Sequence, residues 1–137
     1  MTNTFHLTIL TPYGRYYEGS AEFLEVFSEK YSLGILPGHA PLISTLSVSK
    51  MTIQMPGGHK YIYAIGGGAI NIDKDGVTLI LNSVERKDEI DVTRANEAKK
   101  RAEERLNEAK QNSSIDTDRA KLAYVRALNR INIASKD

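Results

Sequence analysis

The chain contains no cysteine, which excludes disulfide cross-links and thiolate metal sites and is compatible with a reducing compartment. No apolar run approaches the roughly 18 residues that a membrane-spanning helix needs, so direct membrane insertion is not expected. The opening stretch MTNTFHLTIL has neither the basic start nor the unbroken apolar segment of a secretory signal, so a soluble, cytoplasmic chain is expected. An excess of charge of one sign is also missing. Eighteen basic and 17 acidic side chains leave a formal charge of +1, which argues against a surface built chiefly for nucleic acid or anionic lipid. The last third has its own absences. All ten glycines and all four prolines precede Glu85, as do nine of the ten aromatic residues, which leaves only Tyr124 beyond it.

What is present divides the same way. At 137 residues, 41% hydrophobic and 26% charged, the chain suits one globular domain, or a small domain with an appendage. Up to residue 84, short apolar runs alternate with turn signals. FHLTIL (Phe5 to Leu10) stops at Thr11-Pro12-Tyr13-Gly14, FLEVF (Phe23 to Phe27) ends in polar residues, and LGIL (Leu33 to Leu36) meets Pro37-Gly38. MTIQM and KYIYAI flank Pro56-Gly57-Gly58, and AINI and VTLILN flank Asp73-Lys74-Asp75-Gly76, which predicts two hairpins. Strands this short and closely spaced predict an antiparallel sandwich or barrel. About 84 residues bury only about 60–65% of their unfolded surface, a modest core.

From residue 91 onward, Ala, Lys, Arg and Glu dominate and predict helices. Asp91 N-caps one running to about Lys110, and Asp116 caps a second running to about Ala134. Ala95, Ala98, Ala102, Leu106 and Ala109 share one face of the first helix; Ala120, Ala123, Ala127, Ile131 and Ala134 share one face of the second. Facing alanines remove little apolar area, at roughly 25 cal/mol per Å², so this antiparallel hairpin is expected to be thinly held. The whole reads as α+β: a β domain over 1–84, a linker over 85–90 and a two-helix hairpin over 91–137.

The hairpin repeats itself. EIDVTRA (Glu89 to Ala95) returns as SIDTDRA (Ser114 to Ala120), and the arginine set 94, 101 and 105 returns as 119, 126 and 130. The spacing i, i+7, i+11 stays within about 20° of one helical direction. Converging guanidiniums would make an anion groove suited to a polyphosphate. The plainer alternative, which spacing alone favours, is a pair of solvated faces whose arginines pair with Glu97, Glu104 and Glu108.

LGILPGHAPL (Leu33 to Leu42), IGGG (Ile65 to Gly68), IDVTRA and RALNRI (Arg126 to Ile131) occur in an order that resembles the epsilon subunits of bacterial F-type ATP synthases, across nearly the whole chain. The resemblance implies a ten-stranded antiparallel β-sandwich followed by the hairpin, in a non-catalytic subunit of the proton-translocating complex. It implies a peripheral place at the cytoplasmic face of the bacterial cell membrane, on the central stalk that couples proton-driven rotation to ATP synthesis. The partners implied are the gamma subunit and the c-subunit ring, with the alpha/beta head as partner when the hairpin extends and inhibits ATP hydrolysis.

No catalytic cofactor is implied, but some relatives hold ATP on the folded hairpin as a regulatory ligand. The matching residues here are Glu85, Asp91, Arg94, Ala95, Arg101, Arg126 and Arg130. Arg94, Arg126 and Arg130 would clamp phosphates and Arg101 would add positive field. Glu85 and Asp91 would accept from adenine, ribose or an arginine, and Ala95 would let the base approach. Arg105 and Arg119 carry no ligand role over. The ring and gamma contact matches Tyr31 to Leu36 and Gly38 to Ser44, with Ser32, Gly34, His39, Pro41 and Leu42. Ser32 stands where the family usually has an acidic residue, which shifts the expected contact from an ion pair to apolar groups. Ile65 replaces a serine common before the paired glycines.

Other classes fit poorly. Gly66-Gly67-Gly68 is not followed by Lys-Ser/Thr and does not open a helix, so it is no phosphate loop. His6, His39 and His59 lack metal-site spacing, and no catalytic constellation stands out. Residues 85–137 carry 13 basic and 11 acidic side chains, too balanced for a nucleic-acid footprint. The remaining alternative is a sandwich-plus-hairpin protein-interaction module without nucleotide binding.

Overall fold

Turn residues and period-two alternation divide the first part of the chain into strands. The computed structural model describes residues 3–135. Its strands are β1 (Phe5–Thr11), β2 (Gly14–Ala21), β3 (Phe23–Phe27), β4 (Ser32–Ile35), β5 (Leu42–Gln54), β6 (Lys60–Asp73), β7 (Gly76–Leu81) and β8 (Val84–Arg86). They follow the order β2-β1-β7-β6-β5-β3-β4, and β8 pairs separately with β6. The chain divides into two compact units at the Arg86–Lys87 bond.

Alternation decides what is buried. Leu7 and Ile9 of β1, Leu24 and Val26 of β3, and Leu79 and Leu81 of β7 point inward. Together with Met51, Ile53, Ile65 and Ile70 they form one hydrophobic cluster. That cluster draws on both ends of the strand order, so the sheet folds over its own core as a sandwich-like unit. Tyr16 of β2 and Tyr63 of β6, with two strands between them in the ladder, meet edge to face at 6.3 Å. Burial raises the Tyr63 phenol from its ordinary 10.0 to about 12; Tyr16 adds to the shift and Arg86 opposes it.

Two differences from the expected sandwich have physical causes. Eight strands are present among the described residues rather than ten, because β5 and β6 run 13 and 14 residues without interruption. β6 runs through Gly66-Gly67-Gly68 without ending, and the ladder continues from Val48–Gly66 to Leu46–Gly68. Gly67 and Gly68 hold φ of +84° and +152°, which L side chains rarely adopt. A Cβ on Gly68 would also collide with the Ile80 carbonyl oxygen. The other difference is direction: β1 and β7 pair in parallel, Leu7 with Val77 and Ile9 with Leu79, while the remaining pairs are antiparallel. Parallel neighbours need no direct hairpin, so closing the sandwich can join strands distant in sequence.

The Pro56-Gly57-Gly58 turn is held from outside its hairpin. Gly58 N–H donates to Oε1 of Glu22 at 2.8 Å, and Glu22 is the buried charged residue of this unit. A buried carboxylate is tolerated when it accepts such bonds.

The second unit opens with a 3₁₀ turn, Lys87–Glu89, followed by α1 (Val92–Ala109) and α2 (Thr117–Ser135). The helices pack as a hairpin, with Ala95 and Ala102 of α1 and Ala120 and Ala127 of α2 buried. Ala123 stays exposed, and Ile133, off the expected stripe, is buried. Neither helix is long and apolar enough to cross a membrane.

Candidate functional site: the arginine hairpin and the exposed loop of the sandwich

The repeated Asp-x-x-Arg begins as a capping device. Asp91 sits in extended conformation, and its Oδ1 accepts the Arg94 backbone N–H at 3.1 Å. Asp116 does the same for Arg119 at 3.0 Å. Each cap satisfies an amide that the first helical turn leaves unpaired. The alanine that follows each arginine is buried, Ala95 completely, where a larger side chain would push the helices apart.

The arginines then point outward. Arg94, Arg101, Arg105, Arg119 and Arg126 are exposed, and their side chains make no hydrogen bond or ion pair among the described residues. The ion pairs expected with Glu97, Glu104 and Glu108 are therefore not formed; Lys99 with Glu103, at 3.9 Å, is the pair seen on α1. Arg130 is half-buried and has a partner, as does Glu85, which lies on β8 opposite Ala64 of β6.

A groove of about 750 Å³ runs between the helices toward their connecting loop. Ala98, Ala102, Ala120 and Ala123 line it, and their small side chains leave the space open. Arg101, Arg105 and Arg119 stand along it, and Glu108 and Asp116 also reach it. Of the seven residues implied for a nucleotide, Arg101 alone lines this groove. Arg105 and Arg119, given no role by the resemblance, line it too. Their i, i+7, i+11 spacing is the sequence signal that included them among the converging arginines.

The other candidate is the segment from Tyr31 to Ser44. Ser32 and Gly34 are exposed on β4, paired with Phe27 and Glu25 of β3. The Phe23 ring lies 3.3 Å from where a Cβ on Gly34 would stand. His39 closes a turn, its N–H donating to the Leu36 carbonyl at 3.1 Å, with Nδ1 2.7 Å from the Ala40 carbonyl oxygen. Pro41 is exposed and Leu42, which starts β5, is half-buried. The most exposed apolar side chains here are Ile43 (79%), Leu36 (59%) and Tyr31 (50%), which lie within the two expected contact segments but outside the five residues named as contacts. The Tyr31 and Ser44 hydroxyls lie 3.2 Å apart and join the two ends of the segment.

Comparison with known proteins settles the family. Residues 4–87 match the family described as "ATP synthase, Delta/Epsilon chain, beta-sandwich domain", and residues 88–135 match its "long alpha-helix domain". The chain belongs to the ATP synthase delta/epsilon family. It is 43% identical over 105 residues to ATP synthase epsilon chains of Bacillus thuringiensis (strain Al Hakam) and Bacillus cereus (strain B4264), covering 77% of this chain and 78% of each relative. Among solved structures, a chain of the Euglena gracilis mitochondrial ATP synthase shares the fold, with a TM-score of 0.78 at 17% identity over 92% of this chain and 78% of that one. A chain of the Tetrahymena thermophila mitochondrial enzyme matches at 0.54 and 14% identity, covering 65% and 71%. Family membership makes this an epsilon subunit, a non-catalytic part of a complex for ATP synthesis and proton transport.

Proposed function

We propose that this subunit sits on the central stalk with its β unit against the gamma subunit and the c-ring, and that its helical hairpin is a regulatory arm. The β unit, residues 1–84, would couple rotation to synthesis from the cytoplasmic face of the cell membrane, as a peripheral component. Ser32, Gly34, His39, Pro41 and Leu42, together with the exposed Ile43 and Leu36, supply an apolar contact with little charge. Hydrophobic association suits such a surface better than an ion pair.

The hairpin, residues 91–137, would inhibit ATP hydrolysis when extended and be held folded by ATP. Glu85, Asp91, Arg94, Ala95, Arg101, Arg126 and Arg130 form the proposed site. Arg94, Arg126 and Arg130 clamp phosphates; Arg101 adds positive field; Glu85 accepts from the base or sugar. Asp91 already spends Oδ1 on the helix cap, so its second oxygen is the one left for a ligand. The observation that carries this reading is that Arg94, Arg101 and Arg126 are exposed and have no side-chain partner among the described residues. A polyphosphate would give such guanidiniums charge-assisted bonds.

Calorimetric titration of the full chain tests the reading. ATP should bind more tightly than ADP, and Arg126→Ala should weaken ATP by roughly tenfold or more. No heat at millimolar ATP would leave a protein-interaction module without nucleotide binding. A chain ending at Arg86 should still co-purify with gamma; loss of gamma from a folded truncation would contradict the assignment of that contact to the β unit.

A further inference from the structure

Arg101, Arg105 and Arg119 line one groove at the loop side of the hairpin, and two of the three lie outside the ATP site proposed above. We propose that this groove is a separate subsite for a diphosphate-bearing anion, with Arg105 and Arg119 as its principal ligands.

The helix ends decide little. The C-terminus of α1 and the N-terminus of α2 both lie toward this loop, so their opposite partial charges offset. The side chains therefore set the sign of the field. Three guanidiniums face two carboxylates, Glu108 and Asp116, and Asp116 has one oxygen committed to the Arg119 amide. Among the described residues none of the three guanidiniums has a partner, so none must break a bond to receive a ligand. Arg101 and Arg105 are one helical turn apart on α1, about 6 Å along the axis. Long, flexible side chains one turn apart can reach different oxygens of one diphosphate, and Arg119 lines the same groove from α2. The alanine floor, which includes Ala102 and Ala120, leaves room for phosphoryl oxygens but offers no acceptor to compete with them. Planar guanidiniums recognise such oxygens bidentately, which favours di- and polyphosphates over chloride or a single carboxylate.

The diphosphate could be free inorganic pyrophosphate or the tail of a nucleotide, and the test separates them. The full chain is titrated calorimetrically at low salt with pyrophosphate, then with ADP and with AMP. Saturable pyrophosphate binding is expected, weakened roughly tenfold or more by Arg105→Gln or Arg119→Gln and less by Arg126→Ala. Circular dichroism should show both glutamine variants folded, since their side chains are exposed; Arg105→Lys, which keeps the charge and loses the fork, should restore part of the affinity. ADP binding weakened by Arg105→Gln more than by Arg126→Ala, with AMP not bound there, would place a nucleotide tail in the groove; ADP binding that responds to both alike would make the groove part of the ATP site and overturn the separate subsite. Pyrophosphate binding that depends on Arg126 and ignores Arg105 and Arg119 would overturn this subsite while favouring the ATP site. No pyrophosphate binding, with ATP still bound, would overturn the subsite alone.

Discussion

The carboxylate of Asp91 reaches the backbone amide of Arg94 at 3.1 Å, and the same bond is made at the second helix by Asp116 and Arg119. One four-residue phrase thus begins each helix, which explains why the chain contains it twice. The arginines are placed by the caps rather than tied up in them, because the bond uses the backbone and leaves each guanidinium in solvent.

Replacing a cap should therefore act on stability before it acts on ligands. Asp116→Ala should cost about 1 kcal/mol, read as a lower melting temperature of the helical signal. Asp91→Asn should keep that stability, because an amide oxygen caps as well as a carboxylate. If Asp91→Asn nonetheless weakens ATP in calorimetry, the charge of Asp91 acts on the ligand and not only on the helix.

Gly68 gives a sharper prediction for the β unit. Its backbone is left-handed in φ, and an added Cβ meets the Ile80 carbonyl oxygen and the Leu81 Cα. Gly68→Ala should destabilise the unit by about 2–3 kcal/mol or more, measured by denaturant unfolding. Gly57→Ala, whose Cβ would meet nothing within 4 Å, carries the φ strain alone and should cost less.

Tyr63 predicts a response to alkali. Its folded pKa of about 12 lies above the ordinary 10.0, so the neutral phenol is favoured in the folded state. The stability this contributes is fully present below pH 10 and is lost as pH rises toward 12. Tyr63→Phe should flatten the fall in stability across that window. An unchanged alkaline profile would show that Tyr63 does not govern it.

The thinly packed hairpin should exchange its amides before the sandwich does. Hydrogen exchange in α1 and α2 should outpace that in β5 and β6, since alanine contacts bury little apolar area. ATP should slow exchange in the helices and leave the strands unchanged. Equal protection in both units, with and without ATP, would contradict the proposed switch.

Much of this protein is determined within a few residues of chain. The division into a β part and a helical part follows from where glycine, proline and the aromatics stop, because those residues act locally on backbone and turns. Both capped helices follow from spacing, as do most of their alanine faces, Ala123 being exposed instead, and the inward set of β1, β3 and β7. The Asp73-to-Gly76 and Pro56-to-Gly58 hairpins were legible for the same reason. Strand β2, the first half of β5 and β8, where a linker was expected from residue 85, were missed, since GRYYEGSA, LISTLSVS and VER carry few regularly alternating apolar residues. The continuity of β6 through three glycines, and the parallel pairing of β1 with β7, depend on partners far away in the chain. Tertiary structure alone decided which arginines share a groove. Helical spacing sets the direction of each guanidinium, but only the packing of α1 on α2 brings Arg105 and Arg119 to opposite sides of one cleft.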